Sequence, residues 1–286
     1  VPSETGHVEP QGVEVAETSG SASENPANRK SCLPSHYALN FALMGCEVLV
    51  PTLISRGHEF SRNDEIGRST NLSHREFIYR QAFEMGRHVI GYEVQKVLAA
   101  IDQFELRNET NDVPCVVAGV SEGGLLALYS AALDSRIDAA IVSGYFDQRE
   151  NIWQEPIYRN VWGLLKHFGD ADLAAMIAPR KLFIEMAPQI PEVRAASPAG
   201  RNVAAPGVIK QLAVNSVQIE IQRARDLVKR SGDHDSIRVL GNPSETKTAL
   251  LPEVVRSCLQ EICSREMIAL GGAQRLLDLR TQFSVS

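Results

Sequence analysis

Residues 113–133, VPCVVAGVSEGGLLALYSAAL, decide the fold. The run Val113-Pro114-Cys115-Val116-Val117-Ala118-Gly119 is short and continuously apolar, as a strand buried on both faces must be. GGLLALYSAAL reads as a helix of small residues. Between them, Gly119-Val120-Ser121-Glu122-Gly123 fits the pattern G-x-S-x-G. In that pattern the flanking glycines let a strand turn sharply into a helix and leave the serine Oγ at the edge of a sheet, where it can act as a nucleophile. A match of this kind arises by chance in roughly one chain of this size in ten, given Gly and Ser frequencies near ~7%, so the context carries the reading. Here the strand precedes and the helix follows, with Gly124 allowing the helix to pack closely. The competing reading of Ser121 is an ordinary cap on a strand-to-helix turn.

Strands and helices alternate on both sides of this stretch. Before it, Gly12–Ala16 reads as a weak strand, residues 17–33 as a long Ser/Asn/Pro-rich loop, and YALNFALMG as a helix closed by Gly45. Glu47–Ile54 then reads as a buried strand. Residues 73–104 carry apolar residues at steps of three and four, from Ile78 to Phe104, which predicts one long amphipathic helix or two, with a bend or close backbone contact at Gly86 and Gly91. After the decisive stretch, 137–144, 180–185 and 236–240 read as further strands separated by helices. The expected architecture is α/β, a mainly parallel sheet covered by helices on both faces, with the first strands of the sheet either present or lacking. Residues 1–33 form an irregular amino-terminal segment with the weak strand, 34–264 one domain, and 265–286 a truncated helical tail.

The chain has 286 residues, 44% apolar and 22% charged, with a net charge of -6. That balance gives no general cationic field, which argues against nucleic acid as a partner. No run approaches the ~18 apolar residues of a membrane span, and VPSETGHVEP has no signal-peptide character. The expectation is a soluble chain cut from a longer precursor, secretion remaining open. Cys32, Cys46, Cys115, Cys258 and Cys263 include no C-x-x-C pair, and the seven histidines no H-E-x-x-H. Neither a metal nor any other cofactor is expected.

A serine nucleophile needs oxyanion donors, a base and an orienting carboxylate. The backbone N–H of Glu122 is one expected donor, and an N–H of residues 17–20 the second. Parallel strands place their carboxyl ends on one edge, so Glu185, ending KLFIE, and Asp147, following SGYF, are the candidate acids, with Glu185 preferred. In the order serine, acid, histidine, His234 is the candidate base, although it precedes its strand. His58, which follows a strand, is the alternative. The segment 149–162 places Trp153, Arg159 and Asn160 where flat aromatic surface and hydrogen-bonding groups suit a sugar or an aromatic acid ester. The competing reading is a packed lid helix whose Trp side chains belong to the core. The charged residues from His74 to Glu93 are read as helix-surface ion pairs.

Over residues 36–260, GVSEGG after its strand, the segments 73–102, 121–146 and 153–165, and Met176-Ile177-Ala178-Pro179-Arg180 resemble the dienelactone-hydrolase-like and acetylxylan-esterase-like groups of the α/β-hydrolase superfamily. The resemblance implies a cofactor-free serine hydrolase of carboxylic esters, often on acylated carbohydrate. Two departures stand out: residues 17–26, ETSGSASENP, replace a His-Gly-type oxyanion motif, and no histidine follows the last strand. The alternative is therefore a weakened or inactive member serving as a binding or scaffold domain. Oligomeric state is not legible in the sequence.

Overall fold

The computed structural model describes residues 11–15, 37–57, 62–63, 65–107, 113–186, 190–195, 204–230, 232–233, 235–241 and 249–263. Six strands form one sheet: β1 (Gln11–Val15), β2 (Glu47–Leu49), β3 (Cys115–Val120), β4 (Ala139–Ser143), β5 (Lys181–Glu185) and β6 (Ile237–Leu240). Their order across the sheet is β6-β5-β4-β3-β1-β2, and every pairing is parallel. From β1 the chain builds outward to β2 on one side and, later, to β3 through β6 on the other. The order reverses between β1 and β3, and the crevice beyond the carboxyl ends of such a switch point is where open α/β sheets bind ligands.

Among the described residues, seven α-helices accompany the sheet: α1 (Tyr37–Leu43), α2 (His74–Glu84), α3 (Val89–Arg107), α4 (Glu122–Leu133), α5 (Asp170–Ile177), α6 (Val214–Arg230) and α7 (Pro252–Ile262). The strands alternate between two cores. Val117, Ala140, Val142, Leu182 and Ile184 pack with residues of α2 through α6. Val116, Ala118, Ala139, Ile141 and Phe183 pack with Phe41 of α1 and Val255, Cys258 and Leu259 of α7. This two-sided burial explains the absence of polar alternation in these strands. α4 is buried nearly all round and packs against both α3 and α5, whereas α6 buries only the stripe Val217, Ile221, Ala224 and Val228.

The α/β architecture stands as read, with differences of detail. The weak strand near Gly12 is an interior member of the sheet, so the sheet starts inside the segment read as irregular. The strand expected over Glu47–Ile54 stops at Leu49, and Pro51, which has no N–H to donate, follows shortly. Of the two readings of residues 73–104, the structure has the two-helix one, with the break at Gly86, which has a φ of +67°. The expected tail 265–286 lies outside the described residues. Among the described residues, no helix is long and apolar enough to cross a membrane.

Arg180 closes the end of α4. Its guanidinium donates to the carbonyls of Ala131 (2.7 Å), Asp134 (2.9 Å) and Ile137 (2.7 Å). Ala131 O is one of the carbonyls that the helix end leaves over, Asp134 is its cap residue and Ile137 belongs to the connection to β4, so one cation at the favourable pole of the dipole ties the helix end to that connection. Arg180→Met should therefore cost about 2–3 kcal/mol, read from the urea midpoint of unfolding.

Candidate active site

The turn after β3 depends on close backbone approach. A Cβ on Gly119 would lie 2.1 Å from the backbone carbon of Gly123, and one on Gly124 would lie 2.9 Å from the Ser143 carbonyl oxygen. Only glycine fits at either position without moving backbone. Between them Ser121 adopts φ 54° and ψ -106°, a conformation costing a non-glycine residue about 1–3 kcal/mol and sustained only where the surroundings impose it. Its N–H donates to Ser143 O at 2.9 Å, and its carbonyl accepts the N–H of Leu125 at 3.1 Å. The side chain makes no capping bond, contrary to the capping alternative, and the buried Oγ has no hydrogen-bond partner among the described residues.

Three neighbouring strand ends meet here. Ser121 follows β3, Ser143 ends β4, and Glu185, its register partner, ends β5. The Glu185 carboxylate accepts from Ser143 Oγ and, at 3.0 Å, from the N–H of Leu250. Burial raises its pKa, while those two donors pull the other way. Asp147 faces elsewhere. Its N–H donates to Asp170 Oδ2 at 3.1 Å and its carboxylate engages Ser216 of α6.

His58, His234 and the expected oxyanion loop 17–20 lie outside the described residues. Their flanking residues are described. Asp233 and Asp235 precede β6, and Asp235 accepts from Lys181 at the amino end of β5, on the edge opposite Ser121. Arg56 and Gly57 follow β2, and Arg56 Nη2 donates to Glu122 Oε2 at 3.0 Å, directly beside the elbow. Among the described residues, no three His, Cys, Asp or Glu side chains gather as a metal site would require.

The charged residues of α2 and α3 depart furthest from expectation. Arg75 and Glu93, read as helix-surface groups, are buried and joined by two hydrogen bonds across the helix pair. Arg75 Nη2 also donates to Glu122 Oε1 at 2.9 Å. Glu93 accepts the N–H of Ile54 at 2.9 Å, tying the segment after β2 into the cluster. Despite full burial, Glu122 has its pKa lowered to about 2, since the opposing arginines Arg75, Arg159 and Arg56 outweigh desolvation. The sequence held one sign of this cluster: Glu93 falls on the stripe Val89, Val97, Ala100 that the helix buries.

Arg159 is also inside, 2% exposed, with Nε 3.3 Å from Glu122 Oε2 and Nη1 3.1 Å from Glu155 Oε2. Its charge is spent within the protein, which corrects its reading as a substrate contact. The chain around it forms short 3-10 turns, Ile152–Gln154 and Ile157–Arg159, in place of a lid helix, and Trp153 and Trp162 are 70% and 82% exposed. The core-packed alternative for these tryptophans therefore fails. An open groove of about 510 Å³ is lined by Tyr79, Arg80, Phe83, Ile157, Asn160 and Trp162, among others. Nδ1 of His88 accepts the N–H of Ile90, which leaves Nε2–H to donate to the carbonyl of Asn160 at 3.1 Å. Burial lowers the pKa of this imidazole.

The sheet order, the strained serine after β3 and the flanking helices together define an α/β-hydrolase-type fold. Among solved structures, a Bacteroides fragilis NCTC 9343 protein described as "a putative acetyl xylan esterase" superposes with a TM-score of 0.54 at 13% identity, covering 99% of this chain and 74% of that one. Another, described as "Methylesterase BT1017", gives 0.52 at 14% identity, covering 93% and 52%. In sequence, a Bacillus subtilis (strain 168) protein named "Putative hydrolase YtaP" is 28% identical over 109 residues. That match spans 36% of this chain and 36% of the relative. No protein-family profile matches the chain.

The raised pKa of Glu185 has a testable sign. The folded state holds this proton more tightly than the unfolded chain, so ionisation opposes folding as pH rises from the ordinary glutamate range through the folded pKa. The stability of Glu185→Gln minus that of the native protein should increase from about pH 4 to about pH 7, followed by urea unfolding. A flat or falling difference would show that the carboxylate is held ionised.

Proposed function

We propose that the chain is a serine hydrolase of carboxylic esters, with Ser121 as nucleophile. The observation that carries this is the strained, buried serine at the switch-point edge of the sheet, whose Oγ has no hydrogen-bond partner among the described residues. Ser121 Oγ attacks the ester carbonyl as a histidine takes its proton. The tetrahedral oxyanion receives hydrogen bonds from the N–H of Glu122, at the start of α4, and from a loop donor in residues 17–20. Collapse expels the alcohol, which takes the proton from the histidine, and water then hydrolyses the acyl-enzyme by the same base.

Two histidines are candidates. His234 would take Glu185 as its orienting acid, but its described neighbours Asp233 and Asp235 lie before β6, with Asp235 against Lys181 at the amino end of β5, on the edge opposite Ser121 and Glu185, which weighs against it. The residues before His58, Arg56 and Gly57, follow β2, where Arg56 reaches Glu122; with His58 as base, Glu185 would support only Ser143 and, through it, the Ser121 N–H. The substrate is an acylated carbohydrate or a comparably small ester. Support comes from the exposed Trp153 and Trp162 and the polar groups around the Asn160 groove, since aromatic faces beside hydrogen-bonding groups suit a pyranose.

A second reading, a binding domain without turnover, is favoured by one observation: residues 241–251, which follow β6, contain no histidine. A fluorophosphonate probe decides between the two. Stoichiometric labelling of the native protein, lost in Ser121→Ala together with ester cleavage by at least on the order of 10³-fold, is the expected result. Loss of labelling in His58→Ala or in His234→Ala then identifies the base. A folded native protein that binds acylated oligosaccharide without labelling would overturn the hydrolase reading.

A further inference from the structure

The Glu122 side chain is the least explained group near the nucleophile. It leaves the first residue of α4, immediately after Ser121, and is 1% exposed. Its two oxygens are gripped from three directions. Arg75 comes from the first turn of α2, Arg56 from the segment after β2, and Arg159 from the turns after β4. Two of the arginines are secured in turn: Arg75 by Glu93 and the Ile54 carbonyl, Arg159 by Glu155. Glu155 also meets Arg149, itself paired with the buried Asp170 at the start of α5. The carboxylate thus joins the segments that follow β2 and β4 to the turn that follows β3.

Stability alone is a poor account of this cluster. Burying several charges costs desolvation that their attraction does little more than repay, and apolar replacements of similar volume are often as stable or more so. What such a cluster fixes is geometry. Ser121 occupies a disfavoured backbone conformation, and the N–H one residue later must point at a developing charge. The carboxylate is also placed at the favourable pole of the α4 dipole.

Building on the hydrolase reading above, we propose that Glu122 is a positioning residue. Its carboxylate, held by Arg56, Arg75 and Arg159, locks the first turn of α4 so that the Glu122 N–H and Ser121 Oγ keep their relative placement. The side chain itself does not touch substrate. Glu122→Gln keeps the shape and removes the charge that draws three arginines together.

The experiment compares the native protein with Glu122→Gln, counting active sites with the fluorophosphonate probe. Turnover of p-nitrophenyl acetate per labelled site should fall at least tenfold with KM within about twofold, because only transition-state alignment is lost. A merely structural role would lower the number of labelled sites and leave turnover per site unchanged, which would overturn the proposal. Hydrogen exchange supplies a readout that does not need activity: amides of residues 119–125 should exchange at least tenfold faster in the variant, with β5 and α6 unchanged. Unchanged exchange at 119–125 overturns the proposal. A native protein that takes no label, with faster exchange in the variant, refutes the hydrolase reading and leaves the positioning role standing. Should Glu122→Gln not fold, Arg56→Lys, altering the most exposed of the three arginines, should give the same changes in smaller measure, and its absence of effect on both readouts overturns the proposal.

Discussion

The approach of Gly119 to Gly123, close enough to leave no room for a single methyl group, is the constraint on which the rest of the molecule depends. It forces the strand to end and the helix to begin within one residue, and that residue is Ser121. Ser121 then takes its backbone conformation from neighbours on either side. The Ser143 carbonyl holds its N–H, and the Leu125 N–H holds its carbonyl. Because Ser143 also donates to Glu185, three strand ends are coupled through hydrogen bonds that reach from β3 to β5.

Behind this turn the protein keeps charges that most interiors exclude. Arg75 and Glu93 are among its most buried polar residues, and Arg149 lies over the Tyr145 ring at 3.9 Å while paired with Asp170. Each guanidinium has a carboxylate near it, so charge is buried in compensated form. Planar guanidinium groups suit this use, since one Arg can address several oxygens in fixed directions. Arg75 does so by contacting Glu93, Glu122 and the Ile54 carbonyl together.

Much of the fold was legible in the sequence because it depends on local chemistry. The strands around Val117, Ile141 and Phe183 are apolar on both faces, and α4 is made of small and apolar residues. The placement of Ser121 and Glu185 on one edge was legible for a related reason: each ends or follows a strand, and parallel strands share an edge. The interior position of β1 was not legible, since pairing across roughly a hundred residues leaves no local trace. The burial of Arg75 and Arg159 was hidden as well. A charged residue near a helix start, or between aromatics, looks the same in sequence whether it faces water or a partner brought from another part of the chain.

The place of β1 in the sheet has a consequence for the order of assembly. It lies between β2 and β3, yet it precedes both in the chain, so the two halves of the sheet meet only through a segment that must wait for residues 115–119 to be made. During synthesis both edges of β1 are open. Shortening the chain past Val15 would not trim an outer edge: it would remove the seam, separating β2 from the four strands that carry Ser121, Ser143 and Glu185.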